Sequence, residues 1–251
     1  MQNLEIFSAP WFLICGVVLV ASFIRGISGF GFALITAPIL LLLMSPKEMV
    51  ATNLLLGFIG QIWIVYRTYR YVDWRRILPM MLASLLGIPL GTFIINTVPQ
   101  DTLKIAISIV IFAFAVPLAL GYRRSFGRER VSAGIAGFLS GVLITSTSLG
   151  GPPIVLFLHN QDWPKEKIYP SLAAQFMAIA TTSLVVFAFA GNITPPLLLN
   201  AVSLAPVMFI GINAGMILFR RVNPRFFRLF SMFVVIGAAI MGILSGFGVL
   251  S

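Results

Sequence analysis

Carboxylates are scarce in this chain: seven Asp and Glu among 251 residues, beside one histidine and one cysteine. All seven acids, Glu5, Glu48, Asp73, Asp101, Glu129, Asp162 and Glu166, stand in loops or at the ends of apolar segments. Paired carboxylates are the usual equipment for acid/base hydrolysis, and proton relays inside membranes use Asp, Glu or His. Neither chemistry has its residues here. No His/Cys/carboxylate cluster has metal-ligand spacing, and no Walker-type glycine loop leads into Lys-Ser or Lys-Thr, so no metal or cofactor is expected. Cys15 has no partner for an internal disulfide and sits in an apolar run as a small hydrophobe would. His159 lies where an apolar segment meets a polar loop, a loop or cap position.

Charge of either sign is low, at 10% of residues, against 59% hydrophobic residues and a mean hydropathy of +1.02. That composition excludes a soluble globular domain and implies a polytopic membrane protein. The opening segment lacks a basic n-region and a small-residue cleavage site, so it is expected to stay with the protein. The net charge of +10 comes from short basic loops between apolar segments, which form no groove for nucleic acid. These loops report topology. Arginines crowd 67–76, 123–130 and 220–228, whereas the turns at 96–100 and 191–196 are uncharged. By the positive-inside rule the first three face the cytoplasm and the last two face outward.

About 20 apolar residues cross a hydrocarbon core of about 30 Å. Six stretches meet that length: 49–66, 76–95, 102–121, 168–190, 197–219 and 228–249. With the basic loops inside, 131–158 must enter and leave by the cytoplasmic face, and its length is too short for two crossings. A re-entrant helical hairpin with its tip at 145–151 fits, since irregular backbone at membrane depth is tolerated where it is packed in protein or lines a wet cavity. Residues 8–44 likewise begin and end on one face, the outer one. They are long enough for either a deep re-entrant hairpin or two short tilted spans. The expected fold is therefore an all-α polytopic membrane protein of two inverted repeats. Each repeat is a broken or re-entrant helical element plus three transmembrane helices, eight segments in total. Residues 1–124 and 125–251 form the first and second membrane repeats of one transmembrane domain, with both termini outside.

The two broken elements share a pattern. Small and hydroxyl residues interrupt an apolar segment at 25–31 and again at 145–151, with Gly26 twelve residues before Pro38 and Gly141 twelve before Pro153. Broken helices in corresponding places of two membrane halves point to a transporter's binding site. The glycine turns expose backbone N–H groups, and helices starting after them would aim positive dipole ends at the tips, a ready anion site. Arg25 is the only basic residue inside an apolar segment, where a charge is costly and usually functional. It either faces the anion or snorkels to the inner headgroups. Ser28, Thr145, Ser146, Thr147 and Ser148 add hydroxyl donors, which either contact the ligand or cap their own helix ends. Asn53 and Gln175, in the spans that follow, reach the same cavity or hold helices together. The candidate substrate-binding set is Arg25, Gly26, Ser28, Gly29, Gly31, Asn53, Thr145, Ser146, Thr147, Ser148, Gly150, Gly151 and Gln175, facing a small anion within the lipid bilayer. Gly87-x-x-x-Gly91 and Gly211-x-x-x-Gly215 offer close-packing faces, although glycine is common in membrane helices.

The stretch from Gly26 through Gly31 followed by Ala37-Pro38, with Ser148-Leu149-Gly150-Gly151-Pro152-Pro153 in a second repeat, resembles the TauE/SafE family of sulfite exporter-like membrane proteins. The resemblance covers nearly the whole chain. It implies a permease or exporter in the bacterial inner membrane that moves sulfite, a sulfonate or a related organosulfur anion. It also implies seven or eight membrane segments and no enzymatic activity. The first motif here departs from the more glycine-rich family form: Phe30 and Phe32 intervene and Arg25 precedes. Two other classes compete with transport. A membrane-embedded lipid-phosphate phosphatase-like enzyme also uses inverted serine-rich loops, but those loops carry acids and arginines that 145–151 lacks. A non-transporting membrane assembly factor has no positive sequence signal.

Overall fold

A computed structural model describes residues 9–120, 129–159 and 165–218. Among these residues every regular element is helical: α1 (Ala9–Ser28), α2 (Phe32–Leu40), α3 (Pro46–Thr68) with a 3-10 turn at Tyr69–Tyr71, α4 (Trp74–Thr97), α5 (Gln100–Leu120), α6 (Glu129–Thr147), α7 (Gly151–His159), α8 (Lys165–Phe189) and α9 (Pro195–Leu218). The expected spans at 49–66, 76–95, 102–121, 168–190 and 197–219 fall on α3, α4, α5, α8 and α9. The span expected at 228–249 and the arginines at 123–128 and 220–228 lie outside the described residues.

Among the described residues six helices are long and apolar enough to cross a membrane: α1, α3 with its 3-10 turn, α4, α6, α8 and α9. Two of these, α1 and α6, are long limbs of the broken elements. Their 20 and 19 residues are each about 30 Å long at 1.5 Å per residue, whereas the nine-residue α2 and α7 reach only about 13 Å. The chain reverses at each break. Ser140 in α6 donates its hydroxyl to the Gly150 carbonyl, and a Cβ on Gly31 would touch the Ile24 side chain at 3.5 Å. The described part of the first element, 9–44, thus forms a hairpin with one long and one short limb, and 131–158 divides in the same unequal way.

Local signals place the next helix. Ser45 caps α3 with a capping box: its Oγ accepts from the Glu48 N–H at 3.4 Å, and the Glu48 carboxylate accepts from the Ser45 N–H at 3.0 Å. Pro46 opens α3, where its missing N–H would have had no helical partner.

The element boundaries repeat at a constant interval. Ser28 and Thr147 end the long limbs, Phe32 and Gly151 begin the short ones, Leu40 and His159 end them, and Pro46 and Lys165 start the helices that follow. Each pair is 119 residues apart. This interval corrects the register read from the prolines by one helical turn, matching Gly26 with Thr145 where the twelve-residue count matched it with Gly141. The reason is that Pro38 lies inside α2, whereas Pro152 and Pro153 lie in the first turn of α7.

The long limbs pack on helices of the other half. Gly137 and Gly141 of α6 abut Met80 and Ser84 of α4, and Gly91 meets Val142 and Thr145, so α4 and α6 run parallel. In α1 and α9, Gly211 abuts Leu19 and Ser22, Gly215 abuts Phe23, and the Trp11 indole donates to Ser203 Oγ at 3.2 Å. This pair is parallel too. Both Gly-x-x-x-Gly faces are helix contacts within the chain, where a side chain would strike backbone. Between these pairs α3 packs on α8 and α9, and α8 also packs on α4.

Candidate functional site

The two breaks need backbone that most residues avoid. Gly29 and Gly31 have φ of 79° and 90°, and Ser148, with φ 62°, is the only non-glycine residue at positive φ among the described residues. Ser148 is 119 residues from Gly29, so one fold position is filled by glycine in the first element and by serine in the second. A left-handed serine is held at a cost, and its contacts show what holds it. Its N–H donates to the Ile144 carbonyl at 3.0 Å, and its Oγ accepts from Asn53 Nδ2 at 3.1 Å. Asn53 Oδ1 in turn accepts from the Thr36 hydroxyl at 2.8 Å. Asn53 therefore ties α2 and α3 to the tip of the second broken element.

A cavity of about 80 Å³ lies between the tips, well above the roughly 10–15 Å³ that admits a single water. Gly31, Phe32 and Ala33 bring the start of α2 to it, and Gly150 and Gly151 bring the start of α7. No side chain caps α2 at Gly31. First-turn N–H groups and the positive end of the helix dipole therefore remain for a ligand. The polar side chains of the wall are unevenly shared, with Ser148 the second half's contribution. Arg25, Asn53 and Gln61 come from the first half. The residues 119 positions on from Arg25 and Gln61, namely Ile144 and Ala180, line the other side and are apolar.

Arg25 is 5% exposed. Nη2 donates to the Gly57 carbonyl at 2.9 Å, and the guanidinium lies over the Phe32 ring, 5.7 Å from its centroid. Among the described residues it has no carboxylate partner and no other hydrogen bond, so its remaining donors are free. The side chain is enclosed by helices and does not reach the protein surface. Gly60 leaves room for it, because a Cβ there would lie 3.2 Å from Nη1. An uncompensated buried cation is expensive and calls for an anion.

Gln61, one turn beyond Gly57 on α3, is 1% exposed, and neither its Oε1 nor its Nε2 has a partner among the described residues. Leaving a buried amide unsatisfied costs about 1–3 kcal/mol per group. Gln61 was not among the sequence candidates. A signal was present: Gln61 and Gln175 are the two glutamines lying well inside apolar spans.

Of the sequence candidates, Arg25, Gly29, Gly31, Asn53, Ser148, Gly150 and Gly151 line the cavity. The others lie elsewhere in the described structure. Thr145, Ser146 and Thr147 turn their hydroxyls onto the carbonyls of Gly141, Val142 and Leu143, four residues back, and Thr145 also contacts the Ile88 carbonyl at 3.0 Å. Ser28 bonds the Ile24 and Phe30 carbonyls. Gly26 packs on Ile212 and Gly215 while its carbonyl accepts from Tyr169 Oη at 3.4 Å. Gln175 is fully buried, with Nε2 3.5 Å from Ser84 Oγ and Oε1 unpartnered. Among the described residues no group of three or more His, Cys, Asp or Glu is placed to hold a metal.

No curated protein and no solved structure matches the chain. The sequence model of the sulfite exporter TauE/SafE family matches residues 14–246, nearly the full length and both broken elements. The chain belongs to the TauE/SafE family of membrane transporters.

Proposed function

We propose that this protein is a permease for a small sulfur-bearing anion, sulfite, a sulfonate or a related organosulfur compound, bound between the tips of the two broken helices. The observation that carries this reading is Arg25: a buried guanidinium without a carboxylate among the described residues, facing a cavity onto which two helix N-termini also open. The substrate supplies the missing negative charge. Arg25, Gly29, Gly31, Ser148, Gly150 and Gly151 are its binding residues, with Asn53 holding Ser148 in place.

Movement follows from the repeat. Residues 1–124 and 125–251 act as two inverted repeats of one transmembrane domain, with the arginine loops on the cytoplasmic side of a bacterial inner membrane. The parallel pairing of α4 with α6 and of α1 with α9 supports this, because the loop charges give each pair one direction across the bilayer. Rocking of one repeat against the other around a fixed site gives alternating access. With no carboxylate at the cavity among the described residues, coupling rides on the substrate's own protonation or on the membrane potential.

The test is flux in proteoliposomes. Saturable movement of labelled sulfite or a small sulfonate supports the reading. Absence of flux for every sulfur oxyanion tried contradicts it.

A further inference from the structure

Taking the anion reading of the cavity as given, we propose that Gln61 is a specificity-determining residue. It selects anions that carry a hydrogen-bond donor, an O–H or N–H, over anions that present acceptors alone.

Arg25 only donates, as do the backbone N–H groups at the starts of α2 and α7. Asn53 is used on both sides of its amide, accepting from Thr36 and donating to Ser148 and Met49. Ser148 Oγ accepts from Asn53 and points its own proton at the Met49 sulfur at 3.5 Å. Gln61 Oε1 is then the side-chain acceptor at the cavity left without a donor among the described residues. Flipping the amide does not change this, because Nε2 is unpartnered as well and the same two functions remain.

Gln61 also sits beside the charge. The Gly57 carbonyl one turn earlier on α3 holds Arg25 Nη2, so Gln61 stands on the face of α3 that receives the guanidinium, and both residues line the cavity. An oxyanion on Arg25 can take the Gln61 N–H on one of its oxygens. If that anion has only acceptors, Oε1 stays buried and unsatisfied. If it also carries O–H or N–H, both halves of the amide are satisfied at once. A site built to bond a donor discriminates against the analogue that lacks it, because the polar group is then left unpaired. The ligand class is therefore a hydrogen-bearing sulfur oxyanion or a small amino- or hydroxy-substituted sulfonate.

Sulfamate and methanesulfonate test this directly, being monoanions of nearly equal size in which NH₂ replaces CH₃. Calorimetric binding to the purified wild-type protein is expected to favour sulfamate by roughly tenfold. Gln61→Met is expected to abolish that preference by weakening sulfamate, with methanesulfonate changed less than about threefold. Its unliganded thermal midpoint is expected to hold or rise, since an unsatisfied buried amide is removed. Should Gln61→Met not give folded protein, Gln61→Asn replaces it, with a reduced preference expected. The wild-type comparison needs no variant. Equal affinities for the two ions, or a preference that survives in Gln61→Met, overturns the proposal. If both ions bind equally and Arg25→Gln weakens both, the anion reading stands and the role of Gln61 falls. If neither ion binds, the role of Gln61 falls, and flux of sulfite decides the anion reading on its own.

Discussion

Asn53 Nδ2 donates to Ser148 Oγ across 3.1 Å, joining two residues 95 positions apart in sequence. Ser148 holds the left-handed turn at the tip of the second broken helix, and Asn53 is anchored by Thr36 in the short limb of the first. One buried amide thus couples the two elements that frame the cavity. Asn53→Leu removes the link: the Thr36 hydroxyl keeps the Phe32 carbonyl at 3.0 Å, but Ser148 Oγ loses the N–H it accepts from, a loss of about 1–3 kcal/mol. Thermal unfolding in detergent is expected to show a clearly lowered midpoint, and an unchanged one contradicts the role given to Asn53.

Ser148 separates backbone from side chain. Ser148→Gly removes the hydroxyl but suits φ 62°, whereas Ser148→Val forces a β-branched residue into a conformation costing about 1–3 kcal/mol. The valine variant is expected to be the less stable of the two. A reversed order contradicts the left-handed turn.

The glycines of α6 are not equivalent. A side chain at Gly137 strikes the Met80 backbone of α4, while Gly134 has nothing within 4 Å. Gly137→Leu is expected to abolish the yield of monodisperse protein and Gly134→Leu to preserve it. Equal yields contradict close packing of α4 on α6.

At the ends of α4 and α8 the Lys167–Asp73 pair, 3.1 Å apart, is partly solvent-exposed, with the lysine side chain 47% accessible. Such pairs contribute about 0–1 kcal/mol. Lys167→Ala is expected to shift the unfolding midpoint little. A large loss would assign this contact a structural weight the geometry does not give it.

Sequence and structure agree most closely where chemistry is local. Gly29, Gly31 and the hydroxyl-rich run ending at Ser148 announce two breaks, because such residues serve turns and caps better than helix interiors. Register was harder to read. The prolines invited a count from Pro38 and Pro153, yet proline tolerates both a first helical turn and, in a membrane helix, the interior. One matching pair, Gly29 and Ser148, shares a positive φ, and serine at the second position hides that match in the sequence. Facing was hardest. The spans are apolar on both their buried and their exposed sides, so periodicity does not report which way a side chain points. Thr145, Ser146 and Thr147 look like ligand donors in sequence but turn back onto their own helix. Gln61, two turns beyond Asn53, reaches the cavity from a helix whose sequence does not mark that face.

The central claim is that Arg25 holds an anion between the helix tips, and ligand-induced thermal stabilisation tests it most directly. Purified wild-type protein and Arg25→Gln are titrated with sulfite, sulfate, thiosulfate, taurine, sulfoacetate and chloride. A ligand that binds only the folded state stabilises it by mass action, by about 2.7 kcal/mol at a hundred times its Kd, and so raises the midpoint. The account predicts selective stabilisation of the wild type by a sulfur anion and its loss in Arg25→Gln. Stabilisation that persists undiminished in the variant, or a wild type indifferent to every anion, contradicts it.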